Sequence, residues 1–390
     1  MERMLSLPGP LAASVKWSFV TRRVDRSAVA GIDPAIRGAR PGDLVLSRVV
    51  RIGAHKRVQL ASGRPSTLYD GDHLVLACGA RYAPDQFEGR ARLSADGADM
   101  LAGGGIVGRM QRRHARISAP TRVIPLGMLC DRAGARLNLA RYALPPAPAA
   151  ERRRASGMPV IAAVGASMNA GKTTAVACLA NGLARAGYRV AALKITGTGA
   201  FGDVNAYADA GAALVLDFVD AGMASTYREP LDRIEAGMGT LLAAAGAAGA
   251  DVVLVEFADG VFQAETAGLL GRPAMRDRID ALIYAAPDAG SVVGGLSVLR
   301  ALGIEPAAVT GRVTASPLAI REAGAAGGVA LTPTGDLTDP AVATALLAQA
   351  SAGSSARASA VSSAGSSPEA GAGRELPDTA AKAKRGGIAA

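Results

Sequence analysis

Cysteine is scarce in this 390-residue chain: Cys78, Cys130 and Cys178 are odd in number and far apart. That excludes a disulfide framework and any C-x-x-C zinc or redox pair. Aromatic residues make up only 4%, with Trp17 the one tryptophan, so stacking platforms for single-stranded nucleic acid are undersupplied. Long uncharged runs are missing too. Although 49% of residues are hydrophobic and mean hydropathy is +0.22, the apolarity is dispersed through alanine-rich stretches. None reaches the roughly 18 residues that would span a bilayer. Met1–Val15 breaks its apolar residues with Pro8 and Pro10 and lacks the basic, apolar, small-residue order of a secretory leader. A cytoplasmic protein without membrane association is expected. His55, His73 and His114 show no ligand-like spacing, and no nucleophile-elbow string flanks a strand. Neither a histidine metal site nor Ser-His-Asp catalysis is therefore indicated.

What the chain has in excess is positive charge, unevenly placed. Of its 43 Lys+Arg and 33 Asp+Glu, residues 1–157 hold 26 and 12, leaving 17 and 21 to residues 158–390. A basic front of this kind attracts nucleic acid or an acidic partner through counterion release. With so few aromatics, an arginine-rich solvated surface is the plainer reading, and nucleic acid is not an expected partner.

The length allows two substantial cores, since single cores tend to divide beyond about 250–300 residues. From Val15 to about Leu144, short apolar runs alternate with turn signals such as Pro41-Gly42-Asp43 and Tyr69-Asp70-Gly71-Asp72. This spacing predicts a mostly-β, barrel-like module over residues 1–144. The proline- and arginine-rich stretch 145–158 reads as an exposed linker. Beyond it, apolar strand, glycine-bearing loop and helix repeat through residues 159–348. That alternation predicts an α/β, doubly wound, mainly parallel sheet. The Ser/Ala/Gly-rich stretch 349–390 is expected to be a disordered tail, because it buries too little apolar surface to offset chain entropy.

One motif carries chemistry. Gly165-Ala166-Ser167-Met168-Asn169-Ala170-Gly171-Lys172-Thr173 fits G-x-x-x-x-G-K-[ST] and stands between an apolar strand and an amphipathic helix. Its glycines let consecutive amides converge on phosphate oxygens, and the helix N-terminus adds its positive dipole end. The expected nucleotide-binding residues are Gly165, Ser167, Asn169, Ala170, Gly171, Lys172, Thr173 and Thr174. Lys172 is expected to bridge the β- and γ-phosphates and Thr173 to coordinate Mg²⁺. Asp251-Val252-Val253-Leu254-Val255-Glu256 is a buried-strand run ending in an acid, which makes Glu256 a second residue on the metal side. Lys194 ends another strand and leads into a glycine-rich loop, with Asp203 shortly after, on the γ-phosphate side. Three further stretches are candidates for lining the site: Asp220–Arg228 for an anionic substrate, Asp259–Thr266 for a base or second carboxylate, and Arg312, Thr314, Ser316 and Pro317 after the last predicted strand.

On these residues the chain resembles the dethiobiotin synthetases and the molybdopterin-guanine dinucleotide biosynthesis adaptors. Both lie within the signal-recognition, MinD and BioD class of P-loop NTPases, and the resemblance spans roughly residues 159–345. Asp203, Tyr207 and Ala210-Gly211-Ala212 follow the adaptor layout. By the resemblance, Lys194 contacts substrate, Glu256 binds Mg²⁺, Asp203 joins the magnesium shell, and Arg312, Thr314, Ser316 and Pro317 lie where P-loop relatives approach the nucleotide base. The signature lysine of MinD-like ATPases is absent, since Ala166, Ser167 and Met168 occupy that stretch. No N-K-x-D guanine-reading motif and no Thr-Asp-Thr of dethiobiotin synthetases is present either.

The leading expectation is an ATP- and Mg²⁺-dependent kinase or ligase acting on a small anionic or amine substrate, with GTP not excluded and a homodimer as the assembly. Lys172, Lys194, Glu256 and Asp203 are its expected catalytic residues, and Thr173, Asp203 and Glu256 its metal side. Two alternatives stay open: a nucleotide-switched delivery protein like the adaptors, and an amino-acid N-acyltransferase like the D-glutamate N-acetyltransferases with a similar P-loop core.

Overall fold

A computed structural model of the chain describes residues 14–146 and 158–364. The front half is built of eleven short strands: β1 (Lys16–Trp17), β2 (Gly31–Asp33), β3 (Leu44–Arg51), β4 (Arg57–Gln59), β5 (Pro65–Thr67), β6 (His73–Cys78), β7 (Arg81–Tyr82), β8 (Phe87–Arg90), β9 (Ala98–Ala102), β10 (Ile106–Arg113) and β11 (Thr121–Cys130). The pairings β6–β3, β3–β11, β11–β9 and β9–β10 are antiparallel, and β10 returns to β6 in parallel. The ring is therefore closed, as the expected barrel requires, and closure removes the open edges that an isolated sheet would expose.

Alternation along the strands has two destinations. Val45, Val49, Leu74, Leu76, Cys78, Met100 and Val107 form the apolar filling of the barrel. Their neighbours Leu44, Leu46, Val75, Ala77, Leu101 and Ile106 belong instead to a larger cluster shared with Val160, Ala162, Val164, Val253 and Val255 of the second half. Side chains on successive strand positions point to opposite faces, so a single pattern both fills the barrel and glues it to its neighbour.

That neighbour is a six-stranded, all-parallel sheet in the order β14-β13-β15-β12-β16-β17. Its elements follow as β12 (Val160–Gly165), α1 (Lys172–Arg185), β13 (Val190–Lys194), α2 (Phe201–Asp209), β14 (Leu214–Asp217), α3 (Leu231–Ala247), β15 (Val252–Glu256), α4 (Ala264–Gly271), α5 (Pro273–Arg276), β16 (Ala281–Ala285), α6 (Ala289–Ala301), β17 (Ala308–Thr310), α7 (Pro317–Gly327) and α8 (Pro340–Ala364). The strands are apolar on both sides because both faces are covered. Ile161, Ala163, Val252 and Leu254 pack with α1 and the start of α8, whereas Ala162, Val164, Val253 and Val255 pack with α3, α4, α6 and the barrel. Barrel and sheet lie within one compact unit that runs to Ser354.

Two features differ from the expected layout. The glycine-rich loop expected after Lys194 occupies residues 195–200, and the helix α2, which was not expected, follows it with Asp203 in its first turn. A nine-residue helix is too short to hold alone, and here the barrel holds it: Gln59 Oε1 accepts from the Phe201 amide at 2.8 Å, and Phe19 meets the Phe201 ring edge-to-face. The Ser/Ala/Gly-rich stretch expected to be disordered from residue 349 is helical over its first residues. α8 continues to Ala364, with Leu346, Leu347 and Ala350 buried, because alanine is the best helix former and its apolar neighbours find a surface to cover. Residues 365–390 lie outside the described residues, as do 147–157 of the expected linker. Among the described residues no helix is long and apolar enough to cross a membrane.

Candidate functional site

The carboxyl ends of β12, β13 and β15 converge, and each delivers one motif. Past Gly165 the chain makes a tight loop in which Asn169 and Gly171 adopt positive φ, 63° and 106°. Gly171 caps α1, where a side chain would meet the Gly311 and Arg312 backbone at about 3 Å. Arg312 in turn donates its amide to the Ala170 carbonyl at 3.0 Å, so the loop after β17 buttresses the P-loop. The first residues of α1, whose amides have no intrahelical acceptor, line the cleft, an arrangement suited to an anion. Lys172 is 5% exposed, and its Nζ donates to the carbonyls of Ser167 and Asp259 at 2.8 and 2.5 Å. Burial lowers its pKa, opposed by the charges of Glu256 and Asp259.

Beside it lies a compact polar cluster. The Thr173 hydroxyl is 3.0 Å from both Asp203 Oδ1 and Glu256 Oε2. Lys194 Nζ donates to Asp203 Oδ2 and lies 3.5 Å from Glu256 Oε1. Burial alone would lower the Lys194 pKa, but the Glu256 and Asp203 carboxylates outweigh it and push it up, so the ammonium stays charged. Tyr207, fully buried on α2, donates its hydroxyl to Glu256 Oε2. Burial raises the phenol pKa well above its usual value, helped by the Glu256 and Asp203 charges, which keeps Tyr207 a donor. The register Lys194↔Glu256 on adjacent parallel strands is what sets cation against carboxylate.

The Thr173 hydroxyl has one hydrogen and two carboxylate neighbours. It satisfies one and presents lone pairs toward the other. Two carboxylates and a hydroxyl are hard oxygen donors, and they fit Mg²⁺, which keeps several waters and takes phosphate oxygens alongside a few protein ligands. The Lys194 ammonium shares the same two carboxylates.

Asp259 closes the cluster on the β15 side. Its backbone is left-handed, φ 59°, and burial pushes its carboxyl up to about 6 against the pull of Lys172 and Lys194. Next to it, Gly260 packs so tightly on the P-loop that a Cβ there would come within 2.1 Å of the Ala166 carbonyl oxygen.

These residues line one wall of a cleft of about 1220 Å³, and the barrel supplies the other wall. Met168, Asn169, Gly171, Lys172, Thr173, Thr174, Lys194, Asp203, Glu256, Asp259 and Arg312 face it. Gly165 and Ala170 sit behind the loop as buried support, and Ser167 turns its hydroxyl to the Met168 carbonyl. Asn169 reaches across to Asp85 of the barrel at 2.9 Å. Of the other candidates for lining the site, Asp220 is spent on an ion pair with Arg22, while Ser225, Tyr227 and Arg228 line a separate, smaller pocket with Arg90 and Arg92. Thr226 braces the Gly197 amide, Thr314 bonds the Gly311 carbonyl and Ser316 caps α7. Of the three histidines, His55 joins the cleft. Local sequence gave no signal for the barrel wall, namely His55, Gln59, Arg81 and Gln86, because those residues come together only through barrel closure.

A helix-opening phosphate loop after the central strand, with an acid-tipped strand beside it in a parallel sheet, decides the architecture. The second half has the fold of a P-loop NTPase. No family model and no curated protein matches the chain. Among solved structures it is similar to the 54 kDa protein of the signal recognition particle from Aeropyrum pernix in complex with GDP, at 20% identity and TM-score 0.32, over 54% of this chain and 51% of that one. It is also similar to a ParA family ATPase from Chlorobium tepidum, at 13% identity and TM-score 0.31, over 50% and 95%. A third is a duf1611 family protein from Anabaena variabilis, at 16% identity and TM-score 0.33, over 52% and 60%. The chain thus spans about half the length of the signal recognition particle protein.

Proposed function

We propose that this chain is a Mg²⁺-dependent nucleoside triphosphate enzyme of the signal-recognition, MinD and BioD class, transferring the terminal phosphoryl group of ATP to a small acceptor held between the P-loop and the barrel. The observation that carries the reading is the Thr173 hydroxyl at 3.0 Å from both Asp203 and Glu256, directly after a buried P-loop lysine. Phosphoryl transfer asks for charge neutralisation and in-line placement more than covalent help. Lys172, drawn from its loop carbonyls, pairs with the β- and γ-phosphate oxygens. Thr173, Asp203 and Glu256 would hold the magnesium ion, which supplies positive charge against the phosphate oxygens. Tyr207 and Lys194 orient Glu256 from two sides.

In the transfer itself an acceptor oxygen or nitrogen bonds to the terminal phosphorus, while the bond to the β-phosphate oxygen breaks and its electron pair leaves on ADP. A carboxylate acceptor has no proton to lose. An amine or hydroxyl acceptor loses one, and the Asp259 carboxylate stands beside Lys172 to take it, with a pKa of about 6 suited to a base near neutrality. Enclosure by a barrel of the same chain favours an enzyme over an open switch surface, because a covered terminal phosphate is shielded from water.

The test is ADP release with ATP and Mg²⁺ across a panel of small carboxylates, amines and alcohols, with GTP in parallel. Stimulation of at least tenfold by one acceptor class is expected. Slow hydrolysis indifferent to every acceptor would overturn the enzyme reading in favour of a switch.

A further inference from the structure

The barrel wall of the cleft contains a buried cation that forms no ion pair among the described residues. Arg81 is 6% exposed. Its Nη1 donates to the Leu101 carbonyl and lies 3.3 Å from His55 Nε2, its Nη2 donates to Gln86 Oε1 at 2.9 Å, and its Nε has no hydrogen-bond partner. All of these neighbours are neutral. His55 Nδ1 stands 3.1 Å from the Met100 carbonyl, which assigns the proton to Nδ1 and leaves Nε2 as the acceptor toward Arg81. The Asp85 and Asp259 carboxylates act on Arg81 through space without forming an ion pair with it; Asp85 Oδ2 accepts from Asn169 at 2.9 Å, and its buried Oδ1 has no hydrogen-bond partner. Removing a guanidinium from water without pairing it is costly, and a planar fork of donors matches a carboxylate or phosphate. Lys56 and Arg57, exposed at the rim of the same cleft, add positive potential that draws anions inward.

We propose that Arg81, backed by Lys56 and Arg57, binds an oxyanion of the acceptor substrate, a carboxylate or a phosphate ester, opposite the P-loop. The inference deepens the phosphoryl-transfer reading by naming the acceptor's chemistry, and it rests on that reading for the word acceptor alone. Through Asp85 and Asn169 the segment that follows Arg81 is tied to the P-loop, so the anion is held at a fixed distance from the terminal phosphate.

Succinate and glycerol phosphate serve as the two probes, titrated calorimetrically into the full chain with and without a non-hydrolysable ATP analogue and Mg²⁺. A fluorescent ATP analogue reports the nucleotide site separately. At least one probe is expected to bind, and Arg81→Gln to weaken it tenfold or more while fluorescent nucleotide affinity stays within twofold. Which probe binds distinguishes carboxylate from phosphate ester. If Arg81→Gln fails to fold by circular dichroism, the paired rim variant Lys56→Ala/Arg57→Ala decides, with an expected loss of at least threefold. The proposal is overturned if neither probe binds the wild type, if a folded Arg81→Gln binds as well as wild type, if the rim variant that replaces it binds undiminished, or if Arg81→Gln weakens nucleotide as severely as Lys172→Ala. Failure of the fluorescent nucleotide to bind the wild type would instead overturn the nucleotide reading and leave the anion titration standing by itself.

Discussion

Lys172 and Glu256 sit within one cluster but separate cleanly by what each touches. Lys172 offers a charge to phosphate, so Lys172→Ala should weaken ATP binding roughly 100-fold, the scale of a lost charge-assisted hydrogen bond at about 1.5–3 kcal/mol. Glu256 faces the metal and Thr173, so Glu256→Gln should keep ATP affinity within a few-fold while turnover falls roughly 10²–10³-fold. Equilibrium titration and steady-state rates on the two variants check both. Asp259 makes a pH prediction. Its proton is held more tightly in the folded chain than in the unfolded one, where the carboxyl titrates near 3.8. The stability this group contributes is thus full below about 3.8 and is lost as pH rises through about 6. Asp259→Asn stays neutral, so its melting temperature relative to wild type should climb between pH 4 and 7. If Asp259 is the base, the acidic limb of kcat/KM near pH 6 with an amine or hydroxyl acceptor should flatten in the same variant. Lys172, Thr173 and Glu256 were legible in sequence because their signals are local: a spaced string, and an acid closing an apolar run. Arg81 was not, since it is one arginine among many in the basic front, and its lack of an anion is a fact of tertiary structure.

At the level of elements, specific polar joints supplement the apolar seam between the halves. Arg22 donates to Asp217 and Asp220 at 2.7 Å each, and both carboxylates are almost fully buried. Removing Arg22 strands two buried acids, so Arg22→Ala should cost about 3–5 kcal/mol in chemical denaturation. Gly260→Ala would drive a methyl group into the Ala166 carbonyl and lift the β15 loop off the P-loop. Turnover should drop at least tenfold, and an unchanged rate would show that the two loops move independently. The strands β12, β13 and β15 were readable as continuous apolar runs, and α1 as the amphipathic stretch after the P-loop. The helix α2 was not, because Gly197, Gly199 and Gly202 argue locally for a loop and only the barrel contacts at Phe201 tip the balance.

For the molecule as a whole, the barrel and the parallel sheet share one apolar cluster, and their cleft exists only because they do. Composition separated a β-rich front from an α/β back. It could not reveal that the front closes over the nucleotide wall, since the outward-facing residues of β3 and β6 look like any alternating strand. The C-terminal boundary is likewise set by packing: a chain ending at Ser354 should melt within about 2 °C of the full protein. One ending before Leu346 loses buried Leu346, Leu347 and Ala350, and should melt several degrees lower by differential scanning fluorimetry. The most direct test of the account is calorimetric titration of the full chain with ATP and Mg²⁺, alongside Lys172→Ala. One saturable site per chain is expected, requiring Mg²⁺ for full affinity and weakened roughly 100-fold in the variant; equal binding by both proteins, or no binding by the wild type, would contradict it.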